Sequence, residues 1–146
     1  MPRVELVYIL NYKLKIGNFK IEGNQDKGKG KVNILDLDME LKQDTLLVRL
    51  QGELDLSVAD VFRKSLEDGL DKNHVKHLVV NLSRVSFIDS SGLGVILGRY
   101  KRLSHQGGRV SLVGAQPQVR RVLSLSGLLT VMKECVSEEE ALARVG

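Results

Sequence analysis

Apolar positions change their period several times along the chain, and the order of those changes predicts an alternating α/β fold. Thr45–Gln51 alternates, with Leu46, Val48 and Leu50 on one face, and Met39–Lys42 is a second β-prone run set off by Gln43-Asp44; the two read as a hairpin. Gly52-Glu53-Leu54-Asp55 reads as a strand break. Ser57 with Asp60 resembles a capping box, and Val58, Val61, Phe62, Ser65, Leu66 and Gly69 then recur at helical spacing. His77–Leu82 is a continuous apolar run, suited to a strand buried on both faces. Ser83–Asp89 reads as a turn, after which Ser90 or Ser91 opens a helix striped with Leu93, Ile96, Leu97, Tyr100 and Leu103 and stopped at Gly107-Gly108.

A strand at Arg109–Val113 comes next, then a helix with Pro117 in its first turn, lined by Val119, Val122 and Leu123 and stopped at Gly127. Leu129–Met132 reads as a short last strand, and Ser137 with Glu140 as the capping box of a last helix. The sum, β-β-α-β-α-β-α-β-α, requires a mixed sheet of four to five strands with parallel neighbours and right-handed helical crossovers. One such domain is expected over residues 39–146.

Residues 1–38 do not share this order. Val4–Leu10 and Tyr12–Ile21 are β-prone, Tyr12–Ile16 alternates, and Gly23–Lys31 is a polar Gly/Lys-rich run that reads as a linker. A small docked hairpin, a tail, or residues upstream of a true start at Met39 all fit this stretch. A poorly packed N-terminal extension is expected.

Composition narrows the function classes. The chain has 146 residues, 42% hydrophobic and without Trp, so its core rests on Leu, Val and Ile. The net charge of +4 divides evenly between residues 1–38 and the rest. No basic cluster with interleaved aromatics stands out, so direct nucleic-acid binding is not expected. Cys135 is the only cysteine, which rules out an intramolecular disulfide and leaves a Cys-based zinc site without support. No run reaches the ~18 apolar residues of a membrane span. The N-terminus lacks a signal peptide's apolar run and cleavage site, so a cytoplasmic location is expected, with no membrane partner.

The candidate chemistry lies in Val85–Lys101, between a buried strand and an amphipathic helix, where open α/β sheets often place their sites. Asp89, Ser90 and Ser91 offer oxygens that can cap the helix, and Gly92 and Gly94 permit close approach of another backbone. Gly92, Gly94 and Gly98 suggest a dinucleotide loop only weakly: two serines occupy the turn, and no acid ends the next strand. A hydrolase elbow is not formed around either serine, and His74, His77 and His105 sit at helix ends or a strand start. Two readings remain open on the residues alone. Either the turn caps and packs a helix, or Ser90 is an exposed hydroxyl that a kinase can reach. A phosphate there adds about −1.5 to −2 charges, which a helix N-terminus tolerates while a partner docked over the turn does not.

Asp89-Ser-Ser-Gly-Leu-Gly-Val-Ile-Leu-Gly-Arg-Tyr-Lys101 closely resembles the signature of bacterial anti-sigma-factor antagonists, a branch of the STAS domain family, and is most similar to its sporulation members. Gly52-Glu53-Leu54-Asp55, Val80-Asn81-Leu82 and Leu125-Ser126-Gly127-Leu128 extend the likeness over residues 39–146. The resemblance implies a single STAS domain and a partner switch rather than an enzyme, with neither cofactor nor metal. The unphosphorylated form would bind an anti-sigma factor that is also a serine kinase and release its sigma factor. Phosphorylation on Ser90 would end that binding, and a serine phosphatase would restore it. The family's partner surface maps to Asp55, Asp89, Ser91, Gly92, Leu93, Gly94 and Val95. Asp55 and Asp89 have ordinary helix caps as their alternative roles, and Leu93 a place in the core. A STAS scaffold or general-stress signalling module with another partner is the alternative function.

Overall fold

A computed structural model describes residues 13–23 and 33–145. Its elements are β1 (Lys13–Glu22), β2 (Ile34–Lys42), β3 (Thr45–Leu54), α1 (Leu56–Lys72), β4 (His77–Ile88), α2 (Ser90–Ser104), β5 (Val110–Val113), α3 (Pro117–Leu125), a 3₁₀ turn (Leu128–Thr130), β6 (Lys133–Cys135) and α4 (Glu138–Val145). Among the described residues the strands form one six-stranded sheet, in which their spatial order equals their order in the chain. β1, β2 and β3 pair antiparallel, and β3 to β6 pair parallel through helical crossovers.

The period-2 pattern assigns the two faces. Leu35, Leu37, Met39 and Leu41 of β2 share a face with Leu46, Val48 and Leu50 of β3 and with Leu78, Val80 and Leu82 of β4. Against this face pack Val58, Phe62 and Leu66 of α1, Ile96 and Leu103 of α2, and Val119 and Leu123 of α3. On the opposite face the apolar cluster is smaller: Leu47, Val79, Val113 and Cys135, beneath Ala141 and Leu142 of α4. Burial raises the pKa of the Cys135 thiol, which keeps it protonated and inert.

Beyond that small patch the second face is polar. Arg49 reaches Glu138 at 2.8 Å, Asp38 at 3.0 Å and Glu40 at 3.2 Å, and Asn81 donates to Glu138 at 2.7 Å. These carboxylates raise the Arg49 pKa above the ordinary arginine value. They also tie the first turn of α4 to the middle of the sheet.

Several boundaries differ from those expected. Lys13–Glu22 is a paired strand, not a poorly packed extension, and the expected boundary between residues 38 and 39 falls inside β2. An open β2 edge would leave a row of unpaired N–H and C=O groups, which β1 satisfies. Ile21 joins the core at 4% exposure. The β-prone run Val4–Leu10 and the Gly/Lys-rich residues 24–31 lie outside the described residues.

Gly52 does not end β3; it carries the strand through a bulge at φ 126, where a Cβ would lie 2.7 Å from the Ile34 carbonyl oxygen. The expected turn at Ser83–Asp89 is instead the second half of β4, whose Arg84–Ile88 pairs with Gln51–Leu54. The run reads as a turn because Ser83, Arg84, Ser86 and Phe87 face solvent, leaving only Val85 and Ile88 to mark the core. The last strand is Lys133–Cys135, not Leu129–Met132: left-handed Gly127, at φ 85, leads into a 3₁₀ turn instead. In α2, Arg99 is buried beside the expected apolar stripe, with its Nε 2.8 Å from Glu67 of α1.

Candidate functional site

Because β3, β4 and β5 run parallel, they finish at one end of the sheet, and α1, α2 and α3 all begin there. Asp55 and Asp89 take matching extended conformations, as N-cap residues must. Asp55 Oδ1 accepts from the Ser57 N–H at 3.0 Å and from its hydroxyl at 2.6 Å. Asp55, not the expected Ser57, is therefore the cap of α1.

Asp89 is engaged more widely. Its Oδ1 accepts from the N–H groups of Ser91 at 2.9 Å and Gly92 at 3.1 Å. Its Oδ2 accepts from the Leu56 N–H at 3.2 Å, and its own N–H donates to the Leu54 carbonyl at 3.2 Å. The Asp89 carboxylate thus holds the starts of two helices together, and its backbone N–H joins the two strand ends. A side chain that satisfies the free N–H groups of a helix start in this way typically contributes ~1 kcal/mol per cap.

Ser90 occupies the first helical position of α2 and is exposed, and its hydroxyl makes no hydrogen bond among the described residues. Ser91 is half-buried. Gly92 is buried, and a Cβ there would meet the Leu54 carbonyl oxygen at 2.6 Å and the Leu54 side chain at 2.9 Å. Glycine at this position is demanded by the fold. Gly94 and Gly98 are different: nothing lies within 4 Å of where their Cβ would be. Each lowers helix stability by about 1 kcal/mol relative to Ala, with no internal contact that calls for it. Ser90, Gly94 and Gly98 recur at four-residue spacing and so share one face of α2.

The expected surface Ser91–Val95 is accordingly not a uniformly exposed turn. Leu93 is half-buried and packs against the core, while Val95, at 6% exposure, is part of it. Sequence patterning also missed Leu56, 73% exposed at the first position of α1, and Phe87, 47% exposed near the end of β4. The available signal was positional: Leu56 stands to Asp55 as Ser90 stands to Asp89.

The three histidines lie at the other end of the sheet, where β4 and β5 begin and α2 finishes. His77 is buried, its Nδ1 accepts from the Arg109 N–H at 3.1 Å, and burial lowers its pKa, keeping it neutral. A Ser-His pair at Ser90 is therefore not formed. Among the described residues there is no group of His, Cys, Asp and Glu able to hold a metal ion, and no helix long and apolar enough to cross a membrane.

The mixed sheet with its helical crossovers is the fold of the STAS domain. The family model for that domain matches residues 36–141, and the chain belongs to this family. The chain is 39% identical over 111 residues to an anti-sigma F factor antagonist of Paenibacillus polymyxa, covering 76% of this chain and 95% of the relative. The structure of the anti-sigma factor antagonist SpoIIAA in its unphosphorylated form superposes with a TM-score of 0.67 at 36% identity, covering 75% of this chain and 95% of that one. The phosphorylated form of the Bacillus cell fate determinant SpoIIAA matches at a TM-score of 0.62 and 35% identity, covering 75% and 99%.

Proposed function

We propose that this chain is an anti-sigma-factor antagonist whose binding is switched by phosphorylation of Ser90. The unphosphorylated form binds an anti-sigma factor with serine kinase activity and displaces the sigma factor. The kinase then phosphorylates Ser90, and a serine phosphatase reverses the modification. One observation carries the reading. An exposed hydroxyl that makes no hydrogen bond among the described residues starts a helix face that continues through Gly94 and Gly98, two glycines with no internal contact that calls for them. That a similar protein exists in unphosphorylated and phosphorylated forms supports it.

The residues divide by role. Ser90 is the acceptor. Ser91, Leu93 and Gly94 form the contact surface, with Gly92 and Val95 as its buried support. Asp89 fixes the turn and Asp55 offers the partner its second carboxylate oxygen. A phosphate on Ser90 sits beside the starts of two helices, so the fold tolerates it. The partner does not, because its closest approach is to that point. Loss of several kcal/mol at an interface of this kind corresponds to about a hundredfold or more in affinity.

The test is incubation with the cognate anti-sigma kinase and ATP, followed by peptide mass spectrometry. One phosphate, mapped to Ser90, is expected. Ser90→Ala should bind the anti-sigma factor and take no phosphate, whereas Ser90→Asp should bind it poorly. Equal affinity of the two variants would remove the electrostatic account. No phosphate from a kinase active on a control substrate would move the protein to a STAS scaffold or general-stress module.

A further inference from the structure

Across the same end of the sheet, on its polar face, runs a row of side chains that the switch does not use. Glu22 of β1 pairs with Ile34 of β2, and Glu53 of β3 pairs with Phe87 of β4. The two pairs are joined where Asn33 donates to the Glu53 carbonyl at 3.0 Å. Ile34 is 56% exposed and Phe87 47%. The row therefore alternates carboxylate, aliphatic, carboxylate and aromatic groups over four strands.

Its carboxylates differ from the others on this face. Asp36 is paired with Lys20, and Asp38, Glu40 and Glu138 are paired with Arg49. Glu22 and Glu53 have no cationic partner among the described residues. Two exposed apolar groups alternating with two acids that have no cationic partner among the described residues form a surface complementary to a segment with basic and apolar side chains. The row lies at the same end of the sheet as Ser90: Phe87 is three residues before it, and Leu56, 73% exposed, is hydrogen-bonded to Asp89.

We propose that the anti-sigma factor covers this row as well, with apolar side chains seated on Ile34 and on Phe87 and basic side chains opposite Glu22 and Glu53. This rests on the reading of Ser90 as the centre of the partner site. The row gives the interface an apolar anchor that phosphorylation does not alter, at a distance from the point where charge decides binding. β1 belongs to the surface through Glu22, which gives the N-terminal strand a part in recognition.

The experiment is titration calorimetry of the full chain with the anti-sigma factor of its own organism, at two salt concentrations. Phe87→Ser and Ile34→Ser are each expected to weaken binding about tenfold or more, as interface anchors do. Glu53→Lys should weaken it as well, and more at low salt than at high salt. Val61→Ser and Val136→Ser, exposed apolar positions elsewhere, should bind as the parent does. Hydrogen exchange of the complex gives a readout independent of substitution: protection at 34–36 and 84–87 is expected. Parent-like affinity of the Phe87 and Ile34 variants, or no such protection, overturns the inference, while loss of binding in Ser90→Asp leaves the switch standing. If Ser90→Asp binds like the parent, or the parent does not bind, the switch reading fails and this one fails with it.

Discussion

The starts of α1 and α2 share a backbone: Asp55 has φ −112 and ψ −179, and Asp89 has φ −111 and ψ −175. The residues after each cap differ. Asp55 is succeeded by an exposed leucine and a serine whose hydroxyl is bound to the cap itself; Asp89 is succeeded by a serine whose hydroxyl has no partner among the described residues. Asp55 serves its own helix, whereas Asp89 holds α2 and also accepts from Leu56 of α1. The same local solution to helix capping therefore yields an apolar contact point in one place and a modifiable hydroxyl in the other. Capping explains the aspartates and does not explain Ser90.

The sharpest way to break this comparison is inside α2. Gly92→Ala forces a methyl to within 2.6 Å of a backbone oxygen, whereas Gly94→Ala meets nothing. The first should cost about 3 kcal/mol of stability by overpacking. The second should stabilise by up to about 1 kcal/mol through helix propensity. Urea denaturation of both variants decides it, and a similar loss in both would mean that Gly94 has an internal role after all.

The caps come next in size. Asp89→Ala is expected to cost about 2 kcal/mol and Asp55→Ala about 1, because the first strands donors in two helices. Equal losses in thermal or chemical denaturation would show that the bond to Leu56 contributes nothing. The smallest effect is Ser90→Ala, which should change stability by less than about 0.5 kcal/mol, as exposed substitutions do. A larger loss would make Ser90 a structural residue and weaken its claim as a switch.

Much of this architecture was legible in the chain. The alternation of periods located β3, β4, β5 and the four helices, since each buries a complete face or stripe. The start of α2 was legible because Asp89 and the glycines after it act locally. The features that escaped depended on neighbours. Gly52 looks like a break until β2 supplies the close carbonyl that makes a bulge there, and Ser83–Ile88 looks like a turn until β3 pairs with it. β1 was legible as a β-prone run, but its place in the sheet depends on the edge that β2 leaves open, which no pattern within residues 13–22 encodes. Val95 reads as part of an exposed first turn, yet it lies one position before Ile96 on the side of α2 that faces the sheet.

The agreement between strand order in space and strand order in the chain has a consequence during synthesis. Each strand, as it leaves the ribosome, finds its only earlier partner already present and needs nothing that has yet to be translated. Growth can proceed from one edge to the other, with each new helix covering the strands just laid down. Glu138 of α4 then makes a long-range tie by returning to Arg49 in the third strand. Within the described sheet the polar face is thus covered after the strands are in place, and a nascent chain stalled before α4 would display it bare.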